Sequence, residues 1–188
     1  MRRYVSLFLY ITLGLVALVG LNGCGSSDLS LINDVKRFEP EWMNLSEKVI
    51  FLDRYLEITG KEYEAHISEV SPLISESGTS ELLRLRRDYK KMSEERETIE
   101  EKFRGQQANF EDEVKAFHSW QNRLMKGKLD EDRAKTQFTD FQASYNSLNT
   151  SLTDLQDRLI RNIENHNSIM GKIASKVMPH SSYDIMYR

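Results

Sequence analysis

The sequence predicts an all-α protein, an elongated antiparallel three-helix bundle or coiled coil that follows an N-terminal signal segment. Three observations carry this expectation. Apolar residues recur in alternating steps of four and three, a period of 3.5 that belongs to helical seams, whereas strands show a period of two. Turn signals at Ser71-Pro72 with Ser75 to Ser80, and again at Gly127-Lys128, divide the periodic region into three. Charged residues make up 29% of the chain with few glycines and three prolines, which suits long helices with one apolar stripe and a solvated remainder.

The first segment, expected over about 31–74, carries Leu31, Val35, Phe38, Trp42, Leu45, Val49, Leu52 and Leu56, and the same steps continue through Thr59, Tyr63, His66, Val70 and Leu73. Pro40 lies on the opposite side, where it removes the bond to the Lys36 carbonyl and is expected to kink or restart the helix. Gly60 is a second weak point, so two or three collinear pieces are anticipated.

The second segment, about 80–126, places Leu82, Leu85, Tyr89, Met92, Ile99, Phe103, Phe110, Phe117, Trp120 and Leu124 on its seam. Arg96, Gln106 and Glu113 interrupt it, and Val114 is expected to take over from Glu113. The short Gly127-Lys128 connection favours an antiparallel neighbour. The third, about 129–177, has the cleanest pattern: Ala134, Phe138, Phe141, Tyr145, Leu148, Leu152, Leu155 and Leu159. Strict steps then give Asn162, His166, Ile169 and Ile173, while a four-residue stutter would substitute Ile163 and Met170. Each segment has about 45 residues, so a rod roughly 70 Å long is expected at about 1.5 Å per residue. Heptads also fit a homodimer or a more open assembly, so the oligomeric state stays open.

Ahead of these helices stand Arg2 and Arg3, then an uncharged apolar run from Tyr4 to Leu21, then Leu21-Asn22-Gly23-Cys24 with the single cysteine of the chain. A basic start, an apolar middle and small residues at the exit form an export signal. The 18-residue run is also long enough to span a bilayer, so an uncleaved anchor is the physical rival. Residues 1–24 resemble a bacterial lipoprotein signal peptide, and Leu21-Asn22-Gly23-Cys24 resembles its lipobox. That resemblance implies cleavage before Cys24 and a covalent lipid on its thiol; no cofactor is expected besides. Two lipid signals anchor a protein stably, each buried methylene contributing about 0.8 kcal/mol. Gly25 stands where family members retained at the inner membrane of Gram-negative bacteria carry Asp, which favours the outer membrane. Residues 24–30 read as the lipidated cysteine and a short polar tether.

Without residues 1–23 the chain has 165 residues, enough for one domain. It keeps 24 basic and 29 acidic residues, a formal charge of −5, which argues against a dedicated nucleic-acid binder. Residues 179–188, after Pro179, read as a C-terminal tail whose Tyr183, Ile185, Met186 and Tyr187 can pack back on the bundle or meet a partner.

Counting residues along an up-down-up bundle brings Phe38, Phe117 and Phe138 to one level, with Trp42, Phe110, Phe141 and Tyr145 next to them. This aromatic half is expected at the lipid end. Thr59, Arg96 and Asn162 fall within about a helical turn of one another, a polar level that fixes register at a cost in stability. One level further, His66, His166 and Tyr89 meet. Two facing imidazoles suit a metal or a proton switch near pH 6 to 7, with Glu62 or Glu69 as a third ligand; hydrogen-bonded seam residues are the plainer account. Arg84, Arg86, Arg87, Lys90 and Lys91 form a basic cluster that suits an anionic partner, although Glu94, Glu95, Glu97, Glu100 and Glu101 follow at once and such runs are usually solvated faces.

Catalytic signatures are missing: no HExxH, no phosphate loop, no dinucleotide-binding glycine pattern and no GxSxG elbow. His118 and Ser119 are adjacent and point about 100 degrees apart on a helix, so they are not a nucleophile and its base. The expectation is a non-enzymatic envelope protein, held to the membrane by its lipid, that acts through a protein partner as an interaction, spacer or assembly module. The alternative is a metal- or pH-responsive sensor built on His66 and His166.

Overall fold

A computed structural model describes residues 29–177. They form three helices, α1 (Leu29–Ser77), α2 (Ser80–Met125) and α3 (Glu131–Val177), and no strand occurs among the described residues. The chain is an all-α three-helix bundle. The lipobox-like Leu21-Asn22-Gly23-Cys24, and the tail with Tyr183, Ile185, Met186 and Tyr187, lie outside the described residues. Among the described helices none is long and apolar enough to cross a membrane.

The expected breaks in the first segment are corrected. α1 is a single helix of 49 residues that passes through Pro40, Gly60 and Pro72 without interruption and starts at Leu29, inside the anticipated tether. A proline inside a helix removes one backbone hydrogen bond and crowds the carbonyl four residues earlier. Pro40 and Pro72 are both exposed, so the freed carbonyls stay within reach of solvent. Val35 and Trp42 on either side of Pro40, and Ile74 after Pro72, are buried in the core and hold the helix through each fault.

Only Gly78 and Thr79 separate α1 from α2. Gly78, at φ +58°, donates its N–H to the Ile74 carbonyl at 3.2 Å and closes α1 in the left-handed conformation that glycine adopts without strain. Thr79 caps α2, its Oγ1 accepting from the Leu82 N–H at 3.4 Å. At the end of α2, the Gly127 N–H bonds the Leu124 carbonyl and the Lys128 N–H bonds the Arg123 carbonyl, both at 2.9 Å, the paired arrangement of a Schellman ending. Asp130 then caps α3 through the Arg133 N–H at 3.2 Å.

Contacts divide the described residues into two units, 29–47 with 106–151 and 48–105 with 152–177. In the first, Phe38 meets Phe117 and Phe138, while Trp42 meets Phe110 and Tyr145. Partner numbers fall along α2 and rise along α3, so within this unit α2 runs antiparallel to the other two helices. Its core is a set of aromatic rings at centroid separations of 5.3 to 6.3 Å, mostly edge to face, inside the range where ring quadrupoles attract. Trp120 and Phe138 stack in parallel at 5.9 Å. The Tyr145 hydroxyl donates to Glu41 at 2.9 Å; burial, then this bond and the carboxylate charge, push its pKa up to about 12.

In the second unit partner numbers again fall along α2, from Asp53 against Arg104 to Tyr63 against Tyr89, and rise along α3, from Tyr63 against Asn162 to His66 against His166. Val49, Leu52, Leu56, Ile99, Phe103, Leu152, Leu155 and Leu159 are buried. Beside the Gly78-Thr79 turn, Ile74, Leu82, Leu85 and Ile173 form a second apolar cluster, with Val70, Ile169 and Met170 packed on it. Ile74 was not on the expected seam. In α3 the strict steps hold at Asn162 and His166, which are buried where Ile163 is half-buried, while Ile169 and Met170 are both half-buried and pack on the same clusters.

Candidate functional site: a buried polar layer

In the second unit the seam passes from aliphatic to polar residues between Thr59 and His166. Thr59 is buried and satisfied locally, its hydroxyl donating to the Tyr55 carbonyl at 2.7 Å. Asn162, 1% exposed, is the hub. Its Oδ1 accepts from the Tyr63 hydroxyl at 3.0 Å and its Nδ2 donates to the Met92 carbonyl at 2.8 Å, which ties α3 to α1 and α2. The Tyr89 hydroxyl donates to the Tyr63 carbonyl at 2.7 Å. Buried groups satisfied this way specify one register, because a slip leaves each of them without a partner. Burial, followed by the neighbouring Tyr89, raises the Tyr63 pKa far above its ordinary value, and burial alone pushes Tyr89 up to about 12.

His166 stacks on Tyr63 with centroids 4.0 Å apart and planes 10° from parallel, and Tyr89 closes a further side at 5.7 Å. His66 Nδ1 lies 3.2 Å from His166 Nε2, and His166 Nδ1 lies 3.2 Å from Asn167 Oδ1. The level of His66, His166 and Tyr89 expected from residue counting is therefore assembled. Burial holds the His166 pKa below its ordinary value; the Asn167 bond works against this and the His66 charge adds to it. Glu62 and Glu69 are both exposed, and among the described residues no three His, Cys, Asp or Glu side chains are placed to hold a metal ion.

Three features of the unit are not apparent from the heptad pattern. Arg96, a seam interruption in the sequence, lays its guanidinium against α1, where Nη1 donates to the Leu56 carbonyl at 3.4 Å and to Glu100 at 2.8 Å. A Cβ at Gly60 would stand 2.7 Å from Arg96 Nη2, so the glycine makes room for that group. Arg104 bridges Asp53 on α1 and Glu100 on its own helix, and Arg158 reaches Glu95 at 3.6 Å. Asp53 directly follows the seam residue Leu52, at a flanking position of the kind that forms interhelical ion pairs, whereas Arg104 lies outside the flanking positions and only the packing shows that it reaches Asp53.

The basic cluster is only partly assembled. Arg86, Arg87 and Lys90 line an open groove of about 770 Å³ with Ile67, Leu83 and Tyr89, while Arg84 and Lys91 do not. All five cations are exposed, and Lys90 has a loose pair with Glu94 at 3.7 Å. His118, the candidate excluded from a nucleophile pair, sits 3.4 Å from Gln121 in the first unit.

Fold and layer together define a helical bundle with a satisfied, histidine-containing polar seam. No family model matches the chain, and no curated protein or solved structure matches it.

Proposed function

We propose that this chain is a lipid-anchored protein of the bacterial envelope whose three-helix bundle acts without catalysis as an interaction, spacer or assembly module. The observation that carries the reading is one of chain order: the lipobox-like Leu21-Asn22-Gly23-Cys24 is followed after a short polar stretch by a helix that starts at Leu29. A lipid on Cys24 would hold the bundle by the beginning of α1, and Gly25 favours the outer membrane of a Gram-negative cell.

The polar side chains inside the bundle support a structural role. Tyr63, Tyr89 and Asn162 bond one another and the backbone, so each is engaged in holding the helices together. Partner binding then falls to the exposed faces, among them the groove with Arg86, Arg87 and Lys90. A second reading, a pH-responsive protein, rests on the 3.2 Å contact of His66 with His166.

Growth with labelled palmitate tests the anchor. Label is expected in the mature chain and absent from Cys24→Ser, which should also remain unprocessed. Unlabelled wild-type protein would overturn the lipid anchor, and a membrane-bound chain that keeps residues 1–23 by mass spectrometry would favour the uncleaved rival. Crosslinking in cells then identifies the partner.

A further inference from the structure

We propose that His66 and His166 form a proton-binding site that opens the polar layer of the second unit when both rings are charged. This deepens the pH-responsive reading and is independent of the lipid anchor.

The contact holds one proton between His66 Nδ1 and His166 Nε2, whichever ring supplies it. A first added proton can sit on an outer ring nitrogen and leave this bond in place, and the charged donor strengthens it. Once both rings are fully protonated, the contact holds one proton too many. Two N–H donors would then face each other at 3.2 Å, and two positive charges would meet where His166 is 2% exposed.

The groups packed on His166 are uncharged: Tyr63 from α1, Tyr89 from α2 and Asn167 from its own helix. Glu62 and Glu69 on α1 are exposed. Among the described residues neither imidazole has a carboxylate partner. Burial already disfavours the charged form of His166. Its folded pKa is depressed, so the opened chain binds the proton more readily, and the stability of this layer is complete above about pH 6.5 and lost as pH falls below it. Ile67 packs on the Tyr63, Tyr89 and Met92 cluster and also lines the basic groove. Opening the layer therefore reshapes the floor of the groove.

Hydrogen exchange of the full chain from pH 7.5 to pH 5.5, corrected for the intrinsic pH dependence of exchange, tests the site. Amides near Tyr63, Met92 and His166 are expected to lose protection about tenfold per pH unit below about pH 6.5, the signature of one proton taken up on opening. Amides near Phe117 in the first unit should change by less than about twofold. His166→Phe, which preserves the stack on Tyr63, should abolish the dependence, and His66→Gln should weaken it. If His166→Phe does not fold by circular dichroism, His166→Gln takes its place. Equal pH dependence in both units, or a dependence unchanged by the His166 or His66 substitutions, would overturn the proposal.

Discussion

The two units solve one packing problem with different chemistry. Around Phe117 the first unit fills the space between its helices with rings, which bury area without demanding partners for every atom. Around Asn162 the second unit fills it with amide, hydroxyl and imidazole groups, each stable only while its partner stays in place. The first arrangement tolerates small shifts. The second specifies register sharply and is the place where a proton can act. Robustness and responsiveness thus reside in different parts of the same three helices.

The largest effect that could break this contrast is expected in the aromatic unit. Phe117 is 1% exposed and contacts Phe38, Trp42, Trp120 and Phe141. Phe117→Ala should cost about 3–5 kcal/mol in urea denaturation. Both tryptophans, Trp42 and Trp120, lie in this unit, so their fluorescence follows it selectively. A cost below about 1 kcal/mol would show a core that collapses around the cavity, contrary to close packing of the rings.

In the polar unit, Asn162→Leu should cost about 1–3 kcal/mol because the Tyr63 hydroxyl would stay buried without its partner. Adding Tyr63→Phe should recover part of the loss, since removing both ends of a buried bond is milder than removing one. Thermal melts of the two single variants and the double variant measure this; simple additivity would mean that the bond does not couple the helices.

A smaller effect sharpens the role of Gly60. In an exposed helix interior Gly→Ala gains about 1 kcal/mol, but here the added methyl meets the Arg96 guanidinium. Gly60→Ala should be close to neutral in the wild-type chain and stabilising by about 1 kcal/mol in an Arg96→Ala background. Equal effects in both backgrounds would separate the two residues. The smallest change is expected at Lys61, whose pair with Glu57 at 2.8 Å is exposed on both sides. Lys61→Ala should leave the melting temperature unchanged within error, because exposed pairs on a helix contribute little.

Much of this was legible from residue spacing. Steps of four and three from Leu31 to Leu56 mark residues that are buried apart from the half-buried Phe38, and counting along three helices brings Phe38 to Phe117 and His66 to His166. Periodicity carries that information because a helix face repeats with the chain. Local rules misjudged Pro40, Gly60 and Pro72, whose penalties are properties of an isolated helix. Buried neighbours such as Trp42 and Ile74 offset them, and the occupant of the space above Gly60 belongs to another helix, 36 residues further along the chain.

By itself, the sequence determined the helical class, the seam, the aromatic level and the charged outer faces, and it carries the signal-like segment that ends at Cys24. All of these are written in local composition or in short periods. Tertiary structure alone decided that α1 runs unbroken, that Arg96 fits against Gly60, that Asn162 joins Tyr63 to Met92, and that Tyr63 stacks on His166. Those outcomes depend on which side chains from distant segments share a few ångströms of space, and burial there turns a hydrogen bond that water would replace into one that must be made.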